Sequence, residues 1–119
     1  MRKVVVLGAS LKVYRYSFQA VHRLIQEGFE VYPVGVRKGK IGNREIITDP
    51  KYIAGVETVL LYLNASNQIK YYDFIFDLNP QRLIFNPGSE NAELAHLAVL
   101  RGIQVINECA LVLMDLEEF

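Results

Sequence analysis

The sequence predicts an α/β protein in which helices cover both faces of one parallel sheet. Short apolar runs rich in β-branched residues alternate with helix-patterned segments along the 119-residue chain, and glycine or proline turn signals separate them. Such alternation is typical of a doubly wound sheet. A chain of this length buries one core of ordinary size, so we expect a single five-stranded domain over residues 1–119.

The first predicted strand ends in a glycine loop of a size that suits a phosphate. Val4 to Leu7 is a buried run, Gly8 follows it, and a helix with an apolar stripe begins near Ser17. Gly8 lets the backbone approach a ligand closely, and the helix start offers unpaired N–H groups to an anion. Lys12 and Arg15 add positive charge. The second and third glycines of a dinucleotide fingerprint are absent, so an ordinary strand-to-helix turn is the alternative interpretation.

The second predicted strand carries a proline and leads into a basic loop. Gly28 ends the first helix, and Phe29 to Gly35 then has the composition of a strand. Pro33 indicates that this strand lacks a full hydrogen-bond ladder on one side, or that the proline lies near its end. In the segment that follows, we expect a loop with a short strand near 45–47 and a short helix that starts at Asp49-Pro50.

Three further strands and three helices complete the predicted fold. They are a strand at Thr58–Leu63, a helix that ends at Asn79-Pro80, a strand at Arg82–Phe85, a turn at Asn86–Ser89, a helix at Glu90–Arg101, a strand at Ile103–Ile106 and a short helix from Asn107. We expect the five strands, counted along the chain, in the order 3-2-1-4-5, with the switch point between strands one and four. The first loop and the turn after the fourth strand would then face each other across one crevice.

The end of the second strand discriminates between nucleotide ligands. A protein that binds the ribose of NAD usually places an Asp or Glu there, against the 2′-hydroxyl. Here the chain continues with Val36, Arg37 and Lys38, and the first acid is Glu45. This position would attract an additional phosphate on the adenosine, which NADP carries at the 2′ position and coenzyme A at the 3′ position. A solvated basic turn is the alternative.

Four segments resemble the CoA-binding domain proteins, small Rossmann-like domains similar to the N-terminal domain of the succinyl-CoA synthetase α subunit. They are GAS at 8–10 with RYS at 15–17, YPVGVRKGKIGN at 32–43, RLIFNPGSEN at 82–91 and INEC at 106–109. The resemblance implies that the first loop and helix start hold the pyrophosphate of coenzyme A. It also implies that the end of strand two meets the adenosine phosphate and that the turns after strands three and four complete the groove.

Carried over by position, the resemblance implies a specific set of binding residues. The set comprises Gly8, Ala9, Ser10, Arg15, Tyr16 and Ser17 for the pyrophosphate, Val36, Arg37 and Lys38 for the adenosine region, and Asn64, Pro87 and Gly88 for the remaining wall. The chain departs from the family at Gly35, where relatives commonly have proline or asparagine after the valine of strand two.

Composition and charge exclude several other classes of function. The 13 basic and 13 acidic side chains cancel, which argues against a non-specific nucleic-acid surface. The longest apolar run is far shorter than the roughly 20 residues that span a bilayer, so we expect no membrane association. Cys109 is the single cysteine, and no secretory signal pattern opens the chain, so we expect a cytoplasmic protein.

No catalytic set can be assembled from the sequence. His22 and His96 have no partner at metal-ligand spacing, and Cys109 suits a small buried hydrophobe, so we assign no metal and no catalytic residue. The favoured function is therefore a stand-alone module that binds coenzyme A or an acyl-CoA. The alternative is an enzyme, either an NADP-linked reductase or a subunit of an acyl-CoA ligase. Besides the nucleotide, the candidate partners are a second copy of the chain and an acyl-CoA enzyme.

Overall fold

The computed structural model describes residues 1–119 and contains one five-stranded parallel sheet and one short hairpin. The strands are β1 Lys3–Leu7, β2 Glu30–Val34, β3 Lys40–Ile41, β4 Arg44–Glu45, β5 Val56–Leu61, β6 Arg82–Phe85 and β7 Gln104–Asn107. The helices are α1 Tyr16–Gln26, α2 Ala65–Gln68, α3 Tyr72–Leu78, α4 Ala92–Leu100 and α5 Ala110–Asp115, with a 3-10 turn at Ile69–Tyr71 between α2 and α3. The parallel α/β class and all five predicted sheet strands are confirmed.

The predicted strand order is wrong in one respect. The sheet runs β2-β1-β5-β6-β7, so the third strand along the chain lies beside β1 instead of outside β2. β5 is almost wholly buried over its length, and four of its six residues are apolar, as is typical of a strand covered on both faces. β2 contains Pro33, which has no N–H to donate, and it lies at the edge of the five-stranded sheet. The switch point is therefore between β1 and β5.

Two apolar layers hold the helices to the sheet. On one face, α1 and α5 pack against alternate strand residues such as Val6, Leu60 and Ile84. On the other face, α3 and α4 pack against the intervening residues, such as Leu61 and Leu83. This alternation follows from the two-residue side-chain period of a strand. Each of these fully buried aliphatic side chains contributes about 1.5–3 kcal/mol relative to exposure.

The segment after β2 covers the outer edge of that strand. β3 and β4 form a hairpin, and Ile47 bridges to Val34 in parallel, with its N–H 2.8 Å from the carbonyl of Pro33. The short helix expected at Asp49-Pro50 is wrong, because residues 48–53 form no helix and β5 begins at Val56. The segment between Ile47 and Val56 must return from the carboxyl end of β2 to the amino end of β5, a distance that an extended chain spans at about 3.3 Å per residue and a helix at only about 1.5 Å.

The helix predicted after the third strand is divided. It consists of α2, the 3-10 turn and α3, and it ends at Asn79 in the left-handed conformation, with φ of 47°. None of the helices has both the length and the apolar character that a membrane crossing requires.

A charged cluster lies beside the amino ends of the strands. The guanidinium of Arg2 donates two hydrogen bonds of 2.6 and 3.0 Å to one carboxylate oxygen of Glu57, which is also 3.7 Å from Nη2 of Arg82. Arg82 donates from Nε to the hydroxyl of Thr58 at 2.7 Å and lies 4.5 Å from the centre of the Phe119 ring. The hydrogen bonds from Arg2 hold the pKa of Glu57 below its ordinary value.

Candidate functional site

A cavity of about 540 Å³ lies at the carboxyl ends of β2, β1 and β5. It is lined by Gly8, Ala9, Ser10, Leu11, Lys12, Arg15, Gly35, Val36, Arg37, Ile46, Tyr62, Leu63 and Tyr71. Open α/β sheets bind ligands at this edge, at the switch point of the strand order. The cavity therefore lies where a sheet of this topology binds a ligand. The switch point is between β1 and β5, and not between the first and fourth sheet strands as predicted.

The first wall is the glycine loop after β1, which backbone hydrogen bonds fix to β2. The N–H groups of Gly8 and Ala9 both donate to the carbonyl of Val34 at 2.9 Å. Gly8 has a φ of +93°, and a Cβ there would lie 3.1 Å from the carbonyl carbon of Tyr62 and from Cγ of Leu63. Both the backbone conformation and the lack of space require glycine.

Gly35 allows the end of β2 to lie directly against this loop. A Cβ at Gly35 would lie 2.4 Å from the carbonyl oxygen of Ala9 and 3.2 Å from Cγ2 of Ile46. A larger residue would not fit this arrangement. Glycine at position 35 therefore permits the close approach of two backbone segments at the cavity.

The charge of the cavity is positive. Lys12, Arg15 and Arg37 line it, no acidic side chain does, and none of the three forms a salt bridge within the chain. Arg15 is also the N-cap residue of α1, where no side chain caps the helix and no acid occupies the first turn. The free N–H groups and the positive end of the helix dipole add to the attraction for an anion.

Another wall of the cavity is formed by the residues after β5 and is largely aromatic. Tyr62, Leu63 and Tyr71 contribute to it, and the side chain of Tyr71 is buried. The hydroxyl of Tyr62 is buried and has no hydrogen-bond partner within the protein. Burial, with a smaller contribution from Cys109, raises the pKa of the Tyr62 phenol, so Tyr62 is a neutral phenol at physiological pH.

Six of the twelve residues predicted from the sequence line this cavity. They are Gly8, Ala9, Ser10, Arg15, Val36 and Arg37. Lys38 lines an adjoining hollow with Gly39 and Lys40. Tyr16 is 68% exposed at the start of α1, whereas the adjacent Ser17 is buried, and neither lines the cavity.

The remaining three predicted residues lie further along the sheet. The side chain of Asn64 caps α2 by accepting a hydrogen bond from the N–H of Asn67 at 3.1 Å. Pro87 and Gly88 are exposed in the turn after β6, and β5 lies between this turn and the loop after β1. The expectation that Gly88 faces the first loop directly across the switch point is therefore wrong, because the predicted strand order was wrong.

A buried polar network that the sequence did not reveal braces the loops after β5 and β6. Gln68 is fully buried, and its amide donates to the carbonyls of Leu63 at 2.8 Å and Ser89 at 2.7 Å. Its oxygen accepts from the side chain of Asn91, which also caps α4. The only sequence signal was a polar residue within an apolar helical stripe. The network fixes the wall of the cavity that β5 contributes.

Comparison with known proteins decides the family. The sequence profile of the CoA binding domain matches residues 2–115. The chain belongs to the CoA-binding domain family. The resemblance found in the sequence is thus confirmed, and a CoA-related binding role follows from membership. No protein with a curated description matches the chain.

Solved structures share the fold of this CoA-binding domain over nearly its whole length. An uncharacterised protein is 41% identical, covers 100% of this chain and 98% of its own, and gives a TM-score of 0.96. A hypothetical protein from Pyrococcus horikoshii OT3 is 21% identical, covers 96% of this chain and 82% of its own, and gives a TM-score of 0.82. A protein from Thermus thermophilus, cell-free ID.343, is 19% identical, covers 99% and 90%, and gives 0.83. The latter two likenesses concern the fold alone.

Proposed function

We propose that the protein binds coenzyme A or an acyl-CoA in the cavity at the carboxyl ends of β2, β1 and β5, and acts as a binding module without catalysis. The observation that carries this proposal is the charge of the cavity: three unpaired cations and no acid line a site at the switch point of a CoA-binding domain. The adenosine phosphate lies near Arg37 at the end of β2. The pyrophosphate lies at the loop of Gly8 and the start of α1.

The acyl or thiol end of the ligand lies on the side of β5. Tyr62, Leu63 and Tyr71 supply apolar surface there, and their position next to the glycine loop gives a continuous path from phosphate to thiol end. Beyond the cavity, the path leads toward Asn64 and the exposed Pro87-Gly88 turn. An elongated ligand needs such a path, because its phosphates and its thiol lie at opposite ends.

The lining of the cavity supports binding without turnover. It contains no histidine, cysteine or carboxylate, so the hydroxyl of Ser10 has no histidine or carboxylate beside it in the lining to activate it as a nucleophile. Cys109 and His96 lie outside it. The same basic turn at Arg37 would also accept the 2′-phosphate of NADP, so NADP is the competing ligand that the experiment must include.

Isothermal titration calorimetry with coenzyme A, dephospho-coenzyme A, NADP and NAD tests the ligand. We expect coenzyme A to bind, NAD not to bind, and loss of the 3′-phosphate to weaken binding about tenfold or more. Each charge-assisted hydrogen bond contributes about 1.5–3 kcal/mol, and 1.4 kcal/mol is one decade in Kd. Equal affinity for coenzyme A and dephospho-coenzyme A would contradict the role of Arg37, and tighter binding of NADP would favour the reductase.

Two variants and a control locate the ligand. Arg37→Ala is expected to remove the preference for coenzyme A over its dephospho form, whereas Arg15→Ala should weaken both equally, because both carry the pyrophosphate. Arg101→Ala is the matched control, since Arg101 lies beyond the end of α4, against Phe76 and outside the cavity. Mass spectrometry of acetyl-CoA after prolonged incubation with the protein tests the absence of turnover; hydrolysis or transfer of the acetyl group would contradict it.

A further inference from the structure

The two edge strands of the main sheet, β2 and β7, differ in how far other parts of the chain cover them. At β2, Pro33 lacks an N–H, Ile47 pairs with the strand, and Nε of Arg44 donates to the carbonyl of Val31 at 2.6 Å. At β7, no segment pairs with the outer side, and the strand has neither a proline nor a charged residue. Natural proteins usually protect edge strands by one of these devices. β7 is an open edge that nothing in the chain covers.

The backbone groups on the outer side of β7 are suited to a further strand. The N–H of Gln104 donates inward to the carbonyl of Gln81 at 3.0 Å, and the groups of a strand alternate in direction. The N–H and C=O of Val105 and Asn107 therefore point away from the sheet. The side chains of Val105 and Ile106, which pack on opposite faces, are both only half-buried.

The flank of α4 beside this edge is apolar. Glu93 accepts a hydrogen bond from Tyr72, and the guanidinium of Arg101 lies 3.9 Å from the centre of the Phe76 ring, so this side of α4 faces α3. By helical spacing, Ala95 and Val99 lie on the opposite flank, toward β7. Val99 is 61% exposed.

The flank of α5 beside the same edge is also apolar. Asp115 pairs with Arg23 and thereby marks the side of α5 that faces α1. Leu116 lies on the other flank, and Val112 lies at its outer margin, with exposures of 59% and 46%. The edge strand and both helix flanks thus form one uncharged surface, defined by Val99, Gln104 to Asn107, Val112 and Leu116, which we name the β7 face.

We propose that the β7 face is the site of homodimerisation, in which β7 pairs antiparallel with β7 of a second copy about a twofold axis. Each copy offers the same outward donors and acceptors, so the pairing is self-complementary, as an isologous interface requires. None of the residues that define the β7 face is charged, so like-charge repulsion between the copies arises only from residues around the face, such as the exposed Glu108. Val99, Val112 and Leu116 are 61%, 46% and 59% exposed, so pairing of the two strands would also bring apolar side chains of the two copies together. The β7 face is separated from the cavity, so dimerisation does not depend on the proposed ligand.

Light scattering after size exclusion, over concentrations up to about 100 μM, tests the assembly, because an interface with a Kd in the micromolar range is largely occupied there. We expect a mass of twice the 13.6 kDa chain. A monomer at all concentrations would overturn the proposal. Co-purification of a different chain on this surface in place of a second copy would also overturn it.

Two variants place the interface, and a third serves as the control. Val105→Pro removes an outward N–H, and an edge strand tolerates proline at such a position, so we expect a folded monomer. Val99→Lys places a charge on the α4 flank and should shift the equilibrium toward monomer by tenfold or more. Ile69→Lys, at a residue 60% exposed outside the β7 face, should leave the dimer intact. A dimer that persists in both of the first two variants would refute the assignment.

Hydrogen exchange distinguishes extension of the sheet from contact between helices alone. Strand pairing should slow exchange of the amides of Val105 and Asn107 in the dimer relative to dilute monomer, whereas packing of the helix flanks alone would leave them fast. Unprotected amides in a dimeric sample would refute the strand pairing. Coenzyme A titration of Val99→Lys should give the affinity of the parent protein, so a failure of dimerisation and a failure of ligand binding are separate results.

Discussion

Replacement of Gly35 by alanine tests whether the close contact between the end of β2 and the glycine loop shapes the cavity. The new Cβ would lie 2.4 Å from the carbonyl oxygen of Ala9, whereas real Cβ contacts stay above 3.0 Å. One backbone segment must therefore move by about 0.6 Å or more. Overpacking of this kind costs about 1–3 kcal/mol, which at this chain length lowers the Tm by roughly 4–12 °C.

The displacement should also reach the ligand site. The loop that must move is the one whose Gly8 and Ala9 N–H groups are bonded to Val34, and it lines the cavity. We expect Gly35→Ala to weaken coenzyme A binding by about tenfold, which corresponds to 1.4 kcal/mol. Thermal unfolding followed by calorimetric titration of the same sample measures both effects.

A second glycine separates loss of stability from displacement of the loop. Gly28 has a φ of +88°, and a Cβ added there would have no other atom within 4 Å, so Gly28→Ala adds only backbone strain, at a distance from the cavity. That strain costs about 1–2 kcal/mol. This control should have a lower Tm than the parent but the same affinity for coenzyme A. Should Gly35→Ala match the parent in both Tm and affinity, the contact between β2 and the loop does not shape the site.

Three further substitutions have separate expected outcomes. Asn86→Ala should lower the free energy of unfolding by about 2–4 kcal/mol, because the buried Asn86 side chain donates to the Leu61 carbonyl at 3.1 Å and accepts from the Ala110 N–H at 2.8 Å. Urea titration measures this loss, and an unchanged urea midpoint would contradict the prediction. Cys109→Ala should leave coenzyme A affinity within a few-fold and cost about 1–2 kcal/mol, whereas thiol modification that coenzyme A blocks would contradict this structural role. The pKa of Glu57 is lowered in the folded state, so the stabilising contribution of its carboxylate is complete above the ordinary pKa of 4.5 and is lost as the pH falls through the folded value. Glu57→Gln should therefore lose less free energy of unfolding than the parent between pH 7 and pH 3. Equal losses in the two proteins would refute this prediction.

The sequence alone predicted the strands of the sheet, and half of the binding residues predicted from it line the cavity. Apolar runs and glycine stops predicted all five strands of the sheet, because buried parallel strands leave a continuous apolar signature. Gly8 and Arg37 were predicted at the site because a glycine after a strand and a basic turn without an acid have direct chemical meanings. Both lie at the cavity.

Only the tertiary structure decided which elements are neighbours. Pro33 indicated either that β2 lacks a full hydrogen-bond ladder on one side or that the proline lies near the strand end. The predicted order 3-2-1-4-5 placed β2 inside the sheet, because helix-strand periodicity carries no information on which strand lies beside which. In the observed order β5 lies beside β1, so Tyr62 and Tyr71 line the cavity, and Gly88 lies one strand further from the first loop than the predicted order implies. The contacts that shape the site, such as Gly35 against Ala9 and Gln68 against Ser89, join residues distant in sequence. They depend on packing between segments, which no local pattern specifies.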